Sequence, residues 1–463
     1  MILRTLTISL SLGLAATAMA QDRQALVGGT LIDGNGGPPI RNSVILVEGE
    51  RILAVGNQDS LDVPDDYEIV STEGMTVLPG LWEMHAHLML TGHANYSHWH
   101  PFYRDRFEDE IMPASAVQLL LAGVTTARDL GAPLEESLSI RDRINAGELP
   151  GPRLFVSGPF LQNEPYPGTE DYRIGIDGVR EAREQVRRLV EAGVDVIKLV
   201  DQDEMELDEV RALVDEAHAH GLTVVGHSHR SQEILVGLEV GVDNFEHTGL
   251  TTAPEYPPEV IEALRERTSQ GRVRGGPLYW TPTIEGLWNY ERTRDNPERL
   301  DNDCWHRGLQ ADTIEDIQRS LAYVERLSYM QLTPLRRPTL ARKFEQLREA
   351  GVVMLIGTDS GIPTKFHCQS TWNEIDIWTR ELDVPVMGVI RSATYWPSVL
   401  MGVSEDWGRV QEGMYADIIA VEGDLLTYPS LLQSVDFVMK SGVIYVEDGN
   451  VIEERLPEQL RME

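Results

Sequence analysis

The stretch Leu78-Pro-Gly-Leu-Trp-Glu-Met-His-Ala-His-Leu88 is short, mainly apolar and ends in a histidine pair. The apolar run from Leu81 to Met84 follows a turn-prone Pro-Gly pair, which predicts a buried strand. His85 and His87 are two residues apart, so on a strand their side chains project to the same side. Neutral imidazole is a common ligand of zinc-like metals. The pair therefore predicts half of a metal site, with ordinary core or surface histidines as the alternative.

Between Leu81 and Leu400 one pattern recurs, in which a helix is followed by a glycine and a short apolar strand. Gly193-Val-Asp-Val-Ile-Lys-Leu-Val200 and Gly351-Val-Val-Met-Leu-Ile-Gly-Thr-Asp359 are examples. Such repeats predict parallel strands with crossover helices. About eight of them predict an α/β protein with a (β/α)8, TIM-like barrel. A doubly wound open sheet is the structural alternative, although the sequence has no Gly-rich loop of the dinucleotide-binding type.

The segments on both sides of these repeats contain short alternating runs separated by turns, which predicts small sheets. Residues 21–78, expected to be antiparallel, and residues 401–463 are predicted to form one composite β-sandwich around a barrel at 79–400. Residues 287–337 interrupt the repeat and are rich in aromatic and charged side chains. This insertion is predicted to lie at the catalytic mouth, either as a functional lid or as a packed helical excursion.

The first 20 residues have the features of a signal peptide. Arg4 is followed by an apolar core from Leu6 to Leu14 and by an Ala-Met-Ala cleavage site that ends at Ala20. We therefore expect an exported protein, periplasmic or secreted. The apolar core is too short to span a bilayer, and no later stretch is long enough.

Composition narrows the class of protein further. Hydrophobic residues make up 42% of the 463 residues and charged residues 25%, as in ordinary globular proteins. The formal charge of −34 disfavours partners such as nucleic acid and anionic membranes. Cys304 and Cys368 are the only cysteines; they can pair in an oxidising compartment, but two cysteines in so long a chain indicate no disulfide framework.

Ligand-type side chains occur at the C-terminal ends of successive predicted strands, where active sites form in barrels. Taken singly, each has an ordinary explanation, since an aspartate at a strand end often caps the next helix. A lysine inside an apolar strand is nevertheless costly unless it is paired or neutral. Their recurrence at successive strand ends predicts one shared site. The residues are His85, His87, Lys198, His227, His247 and Asp359.

With these residues in place, the sequence resembles the amidohydrolase superfamily, in the branch of imidazolonepropionase-like enzymes and metal-dependent carboxypeptidases or dipeptidases. The resemblance extends over nearly the whole chain after the predicted signal peptide. It is carried by the motifs Pro79–His87, Val196–Lys198, His227–His229, Phe245–His247, Gly357–Asp359 and Tyr415–Ile419.

The resemblance implies a centre with two divalent metal ions, zinc first and manganese or another divalent ion as alternatives. His85, His87 and Asp359 would bind one ion, and His227 and His247 the other. Lys198, N-carboxylated by CO2, would bridge them. The resemblance further implies attack by a metal-activated hydroxide on the scissile carbonyl, with Asp359 passing the proton to the leaving nitrogen.

The substrate is less well defined, because relatives that remove C-terminal residues commonly have Tyr at the position of His229 and Arg at that of Leu235. His229 and Tyr166 are the tentative substrate contacts here; further candidates are Arg173, Arg230 and Lys365. We expect a small amide, a peptide or an N-acyl amino acid as substrate. A cyclic amide or lactone hydrolase and a catalytically inactive binding barrel are the alternatives, and a homo-oligomer is compatible with the sequence.

Overall fold

The structure is a computed structural model that describes residues 23–270 and 276–462. The predicted signal peptide, residues 1–20, lies outside the described residues. The strands are β1 Arg23–Val27, β2 Thr30–Leu31, β3 Ser43–Glu48, β4 Arg51–Asn57, β5 Glu68–Ser71, β6 Met75–Pro79, β7 Leu81–Ala86, β8 Val124–Asp129, β9 Arg153–Val156, β10 Phe160–Gln162, β11 Arg173–Gly175, β12 Val196–Lys198, β13 Thr223–His227, β14 Asn244–Glu246, β15 Tyr279–Thr281, β16 Val353–Met354, β17 Ile418–Glu422, β18 Phe437–Lys440, β19 Val443–Glu447 and β20 Asn450–Val451.

Helices occupy most of the chain between the parallel strands. They are α1 Tyr96–Tyr103, α2 Met112–Leu121, α3 Leu134–Asn145, α4 Val179–Ala192, α5 Leu207–Ala219, α6 Ser231–Val240, α7 Pro258–Ser269, α8 Glu285–Asp295, α9 Ala311–Leu321, α10 Ser328–Gln331, α11 Thr333–Glu349, α12 Ser370–Arg380, α13 Val386–Ser392 and α14 Tyr395–Leu400. The predicted insertion is thus mainly helical. None of the helices in the described part of the chain has the length and apolar character that a membrane span requires.

Parallel strands form the centre of the molecule, which confirms the predicted α/β class. They belong to a three-stranded sheet, β7-β8-β9, a two-stranded sheet, β10-β11, and a five-stranded sheet, β12-β13-β14-β15-β16. Isolated parallel bridges join Leu161 to Leu199 and Ala86 to Ser360. Within residues 23–270 and 276–462, the ladder hydrogen bonds are divided between these sheets and do not run continuously around a closed barrel.

The helices pack apolar faces against these strands. In α4, Ala182, Val186 and Leu189 are buried at helical spacing while the arginines and glutamates between them face solvent. The helix ends at Gly193, whose φ of 92° gives the left-handed cap that glycine adopts without strain. Burial of a large apolar side chain stabilises the fold by about 1.5–3 kcal/mol, so many such contacts keep the strand ends in fixed positions.

The N-terminal and C-terminal segments share one sheet, because β6 pairs with β17 in the order β2-β6-β17-β18-β19-β20. A second sheet has the order β4-β3-β1-β5, and one buried cluster contains Ile45 from it and Val77 and Phe437 from the shared sheet. The expectation of a purely antiparallel N-terminal module is wrong, since β1–β5 and β2–β6 are parallel. The connection between β4 and β5 leads the chain back to the end of the sheet at which β1 begins, so β5 runs parallel to β1.

A disulfide joins Cys304, in the insertion, to Cys368, which follows β16. Beside it, the ring of Trp305 stacks on that of Phe366, with centroids 4.7 Å apart. Both aromatic side chains are buried. The insertion is therefore attached, by the disulfide and by packing, to the segment between the last parallel strand, β16, and α12.

Candidate metal centre

The side chains predicted to form a site do come together at one edge of the parallel sheets. Lys198 and His227 are the last residues of β12 and β13, and His247 directly follows β14. C-terminal ends of neighbouring parallel strands lie at the same edge, so residues distant in sequence converge there. Together with His229, the six predicted ligands line one cavity of about 590 Å³.

The first group within this cavity consists of His85, His87 and Asp359. The Nε2 atoms of the two histidines are 3.3 Å apart, and Oδ1 of Asp359 lies 3.5 Å from the first and 3.0 Å from the second. The backbone N–H of Asp359 donates to the carbonyl of His85 at 2.7 Å. The close approach of these two chain segments requires glycine at position 357. A Cβ atom there would overlap Thr281 and lie 2.9 Å from the backbone nitrogen of His85.

The second group consists of His227, His229 and His247, whose ligand nitrogens lie within 4.8 Å of one another. The ring centroids are 4.3 to 4.7 Å apart. Nδ1 of His247 lies 2.8 Å from the hydroxyl of Thr283, which fixes the orientation of this ring. The ring of His229 is thus as close to the rings of His227 and His247 as these two rings are to each other. His229 was expected only as a substrate contact.

Several buried nitrogen atoms in this cavity have no protein hydrogen-bond partner. Among the predicted ligands and His229 they are Nζ of Lys198, Nδ1 of His87 and of His227, and Nε2 of His229. A buried polar atom without a partner is costly, and such atoms in a native structure commonly mark a missing ion or water. The donor set of imidazole, amine and carboxylate fits a divalent transition metal.

Burial also sets the protonation states of the cavity. It lowers the pKa of His85, His227 and His247 well below the ordinary value, so these rings are neutral and can offer lone pairs. Burial likewise lowers the pKa of Lys198 to about 8, while Glu246 acts in the opposite direction. The neutral fraction of this amine near pH 7 is therefore larger than that of an exposed lysine.

A layer of charged residues behind the cavity orients the ligands. Nδ1 of His85 donates to Glu246 at 2.8 Å, and Arg128 donates to the other oxygen of that carboxylate at 2.5 Å. Glu83 accepts the backbone N–H groups of His85 at 3.0 Å and of Thr358 at 2.7 Å. The carboxylate on Nδ1 leaves the Nε2 lone pair of His85 facing the cavity. These residues were not predicted from the sequence, although a charged side chain inside an apolar strand was the available signal.

Tyr166 does not line the cavity, which differs from its expected role as a direct substrate contact. Its side chain is exposed because it lies in the turn between β10 and β11. The hydroxyl donates to Asp201 at 3.1 Å, and the ring lies 4.5 Å from the guanidinium of Arg173, which does line the cavity. Tyr166 is therefore linked to the cavity only indirectly, through Arg173 and through the contact of Asp201 with Arg230.

Another cluster, also missed from the sequence, joins α1 to the insertion helix α9. Oδ2 of Asp316 lies 2.8 Å from Nε2 of His98, 3.1 Å from the hydroxyl of Tyr103 and 3.6 Å from Nε2 of His93. The backbone N–H of Asn95 donates to Nδ1 of His93 at 3.0 Å, so the proton of the neutral ring is on Nε2. A nitrogen that carries a proton cannot bind a metal, and the cluster is a hydrogen-bonded contact.

Comparisons with known proteins agree with this architecture. The sequence model of the amidohydrolase family matches residues 76–446. The chain is similar to a provisionally assigned prolidase from Bifidobacterium longum, with 25% identity, a TM-score of 0.68 and coverage of 93% of this chain and 96% of the other. No curated protein matches the sequence.

Two further solved structures share the fold. A Xaa-Pro dipeptidase with bound methionine in its active site is 24% identical, with a TM-score of 0.68 and coverage of 92% of this chain and 100% of the other. Phenylurea hydrolase B is 20% identical, with a TM-score of 0.74 and coverage of 95% and 100%.

Proposed function

Since this chain belongs to the amidohydrolase family and is a hydrolase that acts on carbon–nitrogen bonds, we propose that it is a binuclear metal-dependent enzyme cleaving an amide, a peptide or an N-acyl amino acid. One observation carries the proposal: imidazole, amine and carboxylate groups line a single cavity, and several of their buried nitrogens have no protein partner. Because buried polar atoms need partners, bound cations account for the arrangement best.

His85, His87 and Asp359 would hold one divalent ion, and His227 and His247 the other. Lys198 would bridge them as a carbamate; its amine adds CO2 and releases a proton to give an anionic ligand. Nitrogen and oxygen donors without a thiolate favour zinc, with manganese or another divalent ion as alternatives. When bound, the ions supply Lewis acidity toward the carbonyl and a water of lowered pKa.

The protein's own groups would handle the proton and the substrate. Asp359 is at the junction of the ligand groups and would accept the proton of the attacking water through Oδ1 and pass it to the leaving nitrogen. His229 lines the cavity with its Nε2 unpartnered and would contact the substrate near the scissile bond. The surrounding apolar walls would exclude bulk water.

We also propose that the parallel strands form one barrel over residues 79–400 and that residues 21–78 and 401–463 form a composite β-sandwich. The bridges from Leu161 to Leu199 and from Ala86 to Ser360 support the barrel, and the cluster shared by the two flanking sheets supports the sandwich. Export to the periplasm or the medium is supported by the Cys304–Cys368 disulfide, which is typical of oxidising compartments.

The deciding experiment is a survey of amine release by protein comprising residues 21–463, with a panel of dipeptides and N-acyl amino acids. We expect release that a chelator abolishes and added zinc or manganese restores. Failure of folded, metal-loaded protein to release any amine would contradict the proposal. Cyclic amides and lactones would then be the substrates to examine.

A further inference from the structure

The cavity combines apolar walls with several cationic side chains outside the ligand set. Phe160, Tyr172, Leu250, Leu287 and Ile362 contribute apolar surface. The cations are Arg173, Arg230, Arg336 and Lys365, whereas Asp359 is the only acidic residue among those that line the described cavity. In a chain with 74 acidic and 40 basic residues, such a cationic lining is unusual.

Two of these cations are already paired. Arg230 is 2.6 Å from Oδ1 of Asp203. Lys365 donates to the carbonyl of Thr358 and lies 3.7 Å from a carboxylate oxygen of Glu285. Their charges are therefore largely neutralised by the protein.

Arg336 is different. Within residues 23–270 and 276–462 its guanidinium has no hydrogen bond or ion pair, and its Nε is buried without a partner. Burial alone lowers the pKa of this guanidinium, with no carboxylate acting against it. A partly buried charge without a partner costs free energy, and the cost is offset if a ligand brings the opposite charge.

The helix that carries Arg336 is attached to the site. Nζ of Lys343, two turns further along α11, donates to the carbonyls of Gly249 at 3.1 Å and Thr251 at 3.0 Å. The hydroxyl of Thr339 accepts from the same Nζ and donates to the carbonyl of Arg336 at 2.8 Å. Residues 250 and 251 line the cavity just after His247. Arg336 is thus held on a helix face anchored about 10 Å away, at the loop after β14.

From this arrangement we infer that Arg336 binds an anionic group of the substrate, so that the enzyme prefers amides that carry a carboxylate. The inference rests on the proposed amidohydrolase function and adds to it the charge of the substrate and the residue that recognises it. A guanidinium matches a carboxylate with two parallel hydrogen bonds, which gives orientation as well as affinity. The insertion would then determine which amides are cleaved.

Arg173 is the nearest competitor for this role. Its Nε is also buried without a partner, but the rest of its guanidinium has contacts that Arg336 lacks. It donates to Oε1 of Gln162 at 2.7 Å, and its guanidinium lies 4.5 Å from the ring centre of Tyr166 and 5.0 Å from that of Phe160. Cation–π contacts of this kind stabilise the charge in place. We therefore assign substrate binding to Arg336 and treat Arg173 as a test of that assignment.

Three substrates separate the possibilities, with release of leucine or leucinamide as the common measurement. N-benzoyl-leucine carries a carboxylate on the leaving side, N-succinyl-leucinamide carries one on the acyl side, and N-benzoyl-leucinamide is neutral. For the metal-loaded wild type we expect kcat/KM for at least one anionic substrate to exceed that for the neutral one. The preferred substrate shows on which side of the scissile bond the enzyme binds the carboxylate.

Arg336→Gln should lower kcat/KM for the preferred anionic substrate about 10- to 100-fold, mainly through KM, and leave the neutral substrate nearly unchanged. Arg336→Lys should retain part of the preference. The matched control is Arg337→Gln, since the neighbouring Arg337 is paired with Glu291 at 3.1 Å and does not line the cavity. This control should behave as wild type, and thermal unfolding verifies that each variant is folded.

The outcomes distinguish this inference from the proposed function. Equal cleavage of anionic and neutral amides, unchanged in folded Arg336→Gln, would overturn the role of Arg336 while leaving an amide hydrolase. Loss of the anionic preference in Arg173→Gln but not in Arg336→Gln would also overturn it. Absence of cleavage of every amide, including the dipeptides of the wider panel, would instead contradict the proposed function.

Discussion

Nε2 of His87 lies 3.0 Å from Oδ1 of Asp359, at the junction between the first and the last of the parallel strands. The contact depends on the hydrogen bond from the backbone N–H of Asp359 to the carbonyl of His85 and on the absence of a side chain at Gly357. A carboxylate held this close to two imidazoles can serve as a ligand and as a proton acceptor. Each of these two roles can be tested by a different measurement.

Asp359→Asn removes the proton acceptor with little change of shape. We expect kcat to fall about 100- to 10,000-fold, the usual contribution of general acid–base catalysis, with the circular dichroism spectrum unchanged. Asp208→Asn, at an exposed position on α5, is the control and should retain activity. Undiminished turnover by Asp359→Asn would remove this residue from the proton-transfer role.

Lys198 should carry CO2 when the metals are bound. Intact mass under gentle ionisation should exceed the sequence mass by one carbamate in addition to the metal ions. Lys198→Ala should lose metal and activity, and formate or acetate should restore part of both by supplying the missing carboxylate. An unmodified Lys198 in fully active protein would disprove the bridging role.

Metal removal should abolish activity and lower stability together. The buried nitrogens of the cavity would lose their partners, and a ligand that binds only the folded state stabilises it by an amount set by its concentration relative to Kd. Elemental analysis should give two divalent ions per chain, and the melting temperature should rise as zinc is returned. A stoichiometry of one in fully active enzyme would indicate a mononuclear centre.

Asp316→Asn tests the contact between α1 and α9. Although burial opposes it, hydrogen bonds from His98 and Tyr103 lower the pKa of Asp316 below its usual 3.8, so the ionised form stabilises the fold above that pH. We expect the free energy of unfolding of the variant to be about 1–3 kcal/mol lower than that of the wild type at pH 7. The difference should shrink as the pH falls below 3.8, because the stabilisation is lost as the wild-type carboxylate takes up its proton.

The matched control for this contact is Asp312→Asn on the same helix. Asp312 is exposed and pairs with Arg106, so its replacement should cost less than about 1 kcal/mol. Chemical denaturation at pH 7 and at pH 3 measures both variants. Equal effects of the two substitutions at pH 7 would show that the partly buried cluster adds nothing to stability.

The disulfide should stabilise the fold by restricting the unfolded chain. Cys304 and Cys368 are 64 residues apart, a loop for which the chain-entropy model gives about 4 kcal/mol. The double variant Cys304→Ser/Cys368→Ser should therefore unfold at lower urea concentration, and reductant should affect the wild type only. A fully reduced wild type with an unchanged midpoint would contradict this expectation.

The sequence predicted the features that follow from short-range pattern. The α/β class with parallel strands is confirmed, because glycine-terminated helices and apolar strands can be recognised locally. Convergence of residues such as His85 and Asp359 followed from the rule that parallel strands end at one edge. The metal-binding roles themselves remain predictions until ions are measured.

What the sequence did not reveal depends on partners far along the chain. Nothing near Glu246 indicates that Arg128 and His85 will contact it, and nothing near Asp316 indicates His98. Arg336 was overlooked because an arginine in a helix is usually a solvated surface residue. Its unpaired state becomes visible only when every acidic side chain has been located around it.

The pairing of β6 with β17 has a consequence for biosynthesis. A ribosome releases residues 75–79 long before residues 418–422, so the backbone groups of β6 wait without this partner while most of the chain is made. Strand edges left open in this way promote association with other chains. Products that terminate before residue 418 should therefore aggregate or be degraded, even though every proposed metal ligand has already been synthesised.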